Sequence, residues 1–180
     1  MKPREWIWLA GLFVGAAAAT HALALSAYPE RKMQEVIDRT GRGGERENTL
    51  VHGQPVTPAS RGVVRPSPDL VYSICVYDLE TGPVEIAMTR FDAYHSLSLY
   101  DARTNNYYTV NDRQYEGDQI RVRLVADEDA AITGANPFET VVSPTRQGVA
   151  LIRRLASPAI LLDSALKIRQ QDSCRPVTDN

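Results

Sequence analysis

The feature that most constrains this chain is its first uncharged stretch, from Trp6 to Ala27. Coiled as a helix, it would run about 33 Å at 1.5 Å per residue. That is enough to cross a hydrocarbon layer of about 30 Å. Lys2 and Arg4 precede it, and Trp6 and Trp8 sit where indole rings favour a membrane interface. No polar face interrupts it, which argues against a third reading, a core helix of a soluble protein. Two readings stay open. Residues 1–29 are an uncleaved transmembrane signal anchor, with the membrane met by residues 6–27. Alternatively they are a signal peptide, with Ala22-Leu23-Ala24 as its cleavage site.

Orientation is argued both ways. The short basic start resembles an export signal. Against this, Arg31, Lys32, Arg39, Arg42 and Arg46 outnumber the basic residues before the span, and a positive flank prefers the cytoplasm. The expectation is a single-pass protein of the inner (cell) membrane with its domain in the periplasm. Secretion after signal cleavage is the alternative.

The remainder has room for one domain. Residues 30–63 read as a short helix over 30–40, carrying Met33, Val36 and Ile37 on one face. An irregular linker rich in Gly, Pro and charge follows. Residues 64–180 read as the folded unit. Strands are expected at 70–79, 84–91, 94–102, 107–112 and 119–127, rich in β-branched and aromatic residues. The turn residues Thr81-Gly82-Pro83 suggest a hairpin between the first two. In the last, Ile120, Val122 and Leu124 alternate with Arg121 and Arg123, which places one set inward and the other in water. Ser143-Pro144 and Ser157-Pro158 each look like an N-cap followed by proline, so two C-terminal helices are expected. The fold class is α+β or mainly β: an antiparallel sheet or sandwich-like β domain, with an N-terminal transmembrane helix and C-terminal helices.

The net charge of −2 gives no reason to expect a nucleic-acid partner. Cys75 and Cys174 cannot form a structural zinc site, and no histidine lies at ligand spacing from either. In an oxidising compartment they can form a disulfide; otherwise they are two buried thiols. The serine elbow of hydrolases, phosphate loops and dinucleotide fingerprints are all missing from the sequence. No catalytic residue, metal or cofactor is assigned. His95 shares the face of Leu97 and Leu99, which suits a core histidine with its bonds satisfied.

Residues 64–113 contain Arg65-Pro66, Asp69, Tyr72-Ser73, Asp78-Leu79, Gly82-Pro83-Val84, Tyr100-Asp101, Asn105, Tyr107 and Asn111-Asp112-Arg113. These blocks, and Ser143–Leu155, resemble the domain of unknown function 1254 family, in its short membrane-anchored branch. The resemblance implies a β-rich domain. It also implies a companion, because short members resemble half of longer proteins that join this domain to a second, DUF1214-like one. It transfers no catalytic residue. Arg65, Asp69, Tyr107, Asn111 and Arg113 lie at strand ends within these blocks. They are candidates for a ligand pocket or docking surface, or for an internal ion pair pinning a loop. The functional expectation is a membrane-anchored, non-catalytic binding or assembly module that pairs with a DUF1214-like partner. The alternative is a secreted or periplasmic hydrolase using Arg65, Tyr107 and Asn111.

Overall fold

The computed structural model describes residues 2–60, 66–127 and 139–177. Helix α1 (Pro3–Gly41) is followed by strands β1 (Thr49–His52), β2 (Leu70–Asp78), β3 (Val84–Thr89), β4 (His95–Asp101), β5 (Asn106–Asn111), β6 (Gln119–Val125), β7 (Glu139–Val142) and β8 (Gln147–Leu155). Helix α2 (Ile160–Ile168), a 3₁₀ turn (Arg169–Gln171) and strand β9 (Ser173–Pro176) complete it. One sheet has the order β1-β2-β8-β4-β5, the other β7-β6-β3-β9. All pairs are antiparallel except β6–β7. The chain is therefore an α+β protein with a mainly β domain, a long apolar N-terminal helix and a helix near its C-terminus.

Both sheets contribute to one apolar core. Cys75, Tyr77, Leu97, Leu99, Ala150 and Ile152 come from the first, and Ile86, Met88, Val122, Leu124 and Cys174 from the second. Cys75 on β2 is joined to Cys174 on β9, with Cα atoms 6.4 Å apart, so the disulfide ties the sheets together through the core.

Several sequence expectations change. Residues 30–40 are not a separate helix, because α1 runs unbroken through Pro29. A proline inside a helix removes one hydrogen bond and costs about 3 kcal/mol. Good helix formers on both sides, and the docking of Met33 and Ile37 against Val76 and Val149, offset this. The 41–68 stretch is not wholly irregular either. Thr49–His52 pairs with β2 as an edge strand, upstream of the expected boundary at residue 64. Strands β2 and β3 are consecutive but lie in different sheets, so the expected hairpin does not form. The Ser143-Pro144 segment opens no helix. Residues 147–155 form β8, in the middle of its sheet. Val149, Ile152 and Leu155 fit a helical period, but the structure uses the two-residue one. Gly148, Ala150, Ile152 and Arg154 turn one way, and Val149 meets α1 on the other. A strand covered on both faces carries apolar residues at both parities, which hides its alternation.

Gly148 shows how tightly β8 is packed. A Cβ there would collide with the Tyr77 hydroxyl and the Tyr100 carbonyl oxygen, in a backbone conformation open to any residue. Gly148→Ala should therefore destabilise the domain by about 2–3 kcal/mol through overpacking alone. Thermal unfolding of the full chain in mild detergent would measure it. An unchanged midpoint would refute the packing argument.

Candidate functional site

The residues singled out from the sequence do not gather in one place. Arg65 lies outside the described residues. Asp69 precedes β2 and is exposed; its carbonyl accepts the Ala156 N–H at 2.7 Å. Asn111 ends β5, where its Oδ1 accepts the backbone N–H of exposed Arg113 at 3.0 Å, closing a turn. Asp69 and Asn111 share one end of the five-stranded sheet, but β8 and β4 lie between their strands. Three strand spacings separate them by about 14 Å. Tyr107 sits at the opposite end of β5, about 14 Å from Asn111 along the strand.

Tyr107 belongs to a different group. Its hydroxyl lies 3.0 Å from that of Tyr77 and 3.3 Å from Ser143 Oγ. The Tyr77 hydroxyl also donates to the Tyr100 carbonyl at 3.1 Å, and Ser143 Oγ donates to the Thr145 carbonyl at 2.7 Å. Burial pushes both phenols above their ordinary range, so neither ionises near neutral pH. The group is a knot of neutral hydroxyls linking β2, β5 and the turn before β8. It has no nucleophile or base.

The other end of the core holds charge. Arg154 on β8 is only 1% exposed. It grips Asp172 with two bonds, Nη1 to Oδ2 at 2.5 Å and Nη2 to Oδ1 at 2.8 Å. Its Nη2 also donates to the Thr89 carbonyl, and the Thr89 N–H donates back to Asp172. The pair thus anchors the 3₁₀ turn to both sheets. Beside it, His52 Nδ1 lies 2.8 Å from Ser73 Oγ, and Arg169 donates to the Gly53 carbonyl at 2.8 Å.

His95 closes the far side of this layer. As expected for a core histidine, it is 1% exposed. Nδ1 lies 2.7 Å from the Ala93 carbonyl, which can only accept, so Nδ1 carries the proton. Nε2 then accepts from the Tyr115 hydroxyl at 2.6 Å. Burial lowers the pKa of His95, and burial also lowers that of His52, with Arg169 adding to it. Both histidines are therefore neutral in the folded protein near pH 7. The unfolded chain binds these protons more readily, around the ordinary value of 6.5. Stability should accordingly hold above that value and fall as pH drops through it toward the lower folded pKa. A thermal unfolding series from about pH 7 to about pH 5 should show a declining midpoint. A flat series would contradict the assignment of two neutral, partly or fully buried imidazoles.

Two shallow clefts flank the Arg90–Ala93 segment just outside this layer. One, of about 280 Å³, is lined by Arg90, Tyr94, His95 and Asp112. The other, of about 260 Å³, adds Ser164, Lys167 and Gln171 from α2 and beyond. Their charges are mixed, and Arg90 lies over the Tyr115 ring while donating to the Gly117 carbonyl. Among the described residues no group of three His, Cys, Asp or Glu side chains is placed to hold a metal. Sequence reading missed the Arg154–Asp172 pair. Its members lie on either side of α2, and no local pattern links them.

These features describe a two-sheet β domain carried on an apolar helix, with its strongest polar groups spent on internal bonds. Residues 47–176 match the family model described as "Protein of unknown function (DUF1254)", and the chain belongs to that family. No curated protein matches it. Among solved structures, the VPA0106 protein from Vibrio parahaemolyticus has a similar fold, with a TM-score of 0.63 at 14% identity. That match covers 86% of this chain and 40% of the other. An uncharacterized protein from Burkholderia cenocepacia gives a TM-score of 0.47 at 15% identity, over 63% of this chain and 33% of the other. The chain thus spans less than half the length of either.

Proposed function

We propose that this protein is a membrane-tethered, non-catalytic module whose exported domain binds a companion protein. The observation that carries the reading is the bare surface of α1. Its apolar stretch is long enough to cross a membrane, and none of it is covered by the domain. Trp8, Phe13 and Leu23 each stand more than 70% exposed. An apolar surface of that extent needs lipid or protein around it. The last turns of α1, by contrast, are packed on the five-stranded sheet through Met33, Ile37 and Gly41. On this reading the helix is a post that holds the domain at a fixed place beside the bilayer. The Cys75–Cys174 disulfide supports an exported, periplasmic domain, since reducing cytosol opposes such bonds.

The companion is a DUF1214-like protein, held in the same membrane or soluble in the same compartment. Support comes from the VPA0106 protein, of which the match covers 40%, so that the larger share of that protein lies outside the part resembling this chain. The hydrolase alternative needed Arg65, Tyr107 and Asn111 together. Tyr107 and Asn111 lie at opposite ends of one strand, so it gains no support.

Expressing the full chain with a DUF1214-like protein tests the reading. The expected result is an intact chain of full mass, extracted from membranes only by detergent, with the second protein retained on it. A chain cleaved near Ala24, recovered alone in the aqueous fraction, would sink it.

A further inference from the structure

Strand β1 is held to the domain by a charged latch that involves a histidine. On its edge, His52 bonds Ser73 at 2.8 Å, and the next residue, Gly53, has its carbonyl gripped by Arg169 at 2.8 Å. Arg169 is 8% exposed and belongs to the 3₁₀ turn. The charged groups that act on His52 are Arg169 and Asp172 from that turn and its end, and Arg154 from β8. Two cations therefore already face one carboxylate, and that carboxylate is committed to Arg154 and the Thr89 N–H.

From this geometry we propose that acid releases β1: a proton on His52 places a third positive charge beside Arg169 and Arg154, against the one carboxylate of Asp172 that already serves them, and the edge strand detaches with its Arg169–Gly53 bond. Like charges in a partly desolvated site repel strongly, whereas the same charge in water costs little. The cheapest relief is to move His52 outward. Strand β1 is four residues long and, among the described strands, its ladder is with β2, so its release breaks one short ladder together with the packing of Leu50 on the core and the contact of β1 with β9. The central strands β2, β8 and β4 stay together. Release uncovers the hydrogen-bonding edge of β2, which an extended segment of another chain can pair with. The device would make partner capture sensitive to acid on the side of the membrane where the domain stands.

Amide hydrogen exchange on the full chain in detergent micelles, corrected for intrinsic rates, tests this at about pH 7.5 and about pH 5. The amides that face across the β1–β2 ladder, those of Asn48, Val51, Gly53, Ile74 and Val76, should lose protection by at least about tenfold in acid, while those of β4 and β8 keep theirs. His52→Asn keeps an acceptor near Ser73 without a titrating ring, and should remove the acid response. Arg169→Gln keeps a donor for Gly53 but removes one repelling charge, and should move the response to lower pH. Equal protection at both pH values overturns the proposal. So does an acid response that persists in His52→Asn, or one that Arg169→Gln leaves at the same pH.

Discussion

Replacing Asp172 with Ala should cost the domain about 3–5 kcal/mol, because it strands the Arg154 guanidinium in the core. For a folded unit of roughly 130 residues, each kcal/mol lowers the midpoint by about 3–4 °C, so a fall on the order of 10–20 °C is expected. The argument lies in what each partner leaves behind. Arg154 is 1% exposed, and water cannot reach it to replace the carboxylate. Asp172 serves three donors at once: both terminal nitrogens of Arg154 and the Thr89 N–H. Its loss leaves a buried cation and an unpaired buried amide. Arg154→Met leaves a buried carboxylate instead, stripped of the two guanidinium bonds that offset its burial. Removing both charges together, as in Arg154→Met with Asp172→Ala, should recover part of the loss. Buried ion pairs are expensive to break but often cheap to replace by apolar groups. Thermal unfolding of the four proteins in one detergent gives the coupling directly. Additive single losses would show that the pair is not the unit that holds this end of the domain.

How far the sequence speaks for the fold depends on what each residue pattern encodes. The β6 strand was legible because Ile120, Val122 and Leu124 face the core while Arg121 is exposed, and that alternation survives in the text. Strands β4 and β5 were legible singly from their β-branched and aromatic residues, and the structure joins them as a hairpin, with Asp101 closing the turn on the N–H groups of Arg103 and Asn105. Strand β8 was not, because α1 covers its outer face and removes the polar half of the pattern. Strands β1 and β9 are four residues each, too short to carry a period. The pairing of β2 with β8, and not with β3, depends on contacts across some 75 residues that no local signal records. The site fared worse. Asp69, Asn111 and Arg113 were chosen for standing at strand ends, but strand ends lie at both edges of a sheet and on every strand. The polar residues that do converge, His52, Arg154, Arg169 and Asp172, are scattered over three elements or their ends.

Removing the disulfide with Cys75→Ala and Cys174→Ala together should lower stability by about 4.7 kcal/mol on the loop-entropy account, since the bond closes a separation of 99 residues. A midpoint drop on the order of 15 °C follows for a domain of this size. The bond also holds β9, a four-residue edge strand whose sheet partner is β3, against β2 of the other sheet. Without it, the C-terminal segment still has that ladder, the Arg154–Asp172 pair, the Arg169–Gly53 bond and the Arg175–Glu85 ion pair, and the two predictions bear on this one segment. Combining Asp172→Ala with the cysteine pair should give a loss that departs from the sum of the separate ones, because both changes loosen the attachment of one segment. The same bond reports on the side of the membrane. Acid-quenched cells, denatured and treated with a maleimide before any reductant, should yield a chain with neither sulfur labelled if the domain is exported. Both sulfurs labelled in that first step would put the domain in a reducing compartment, and the periplasmic reading would fall with it.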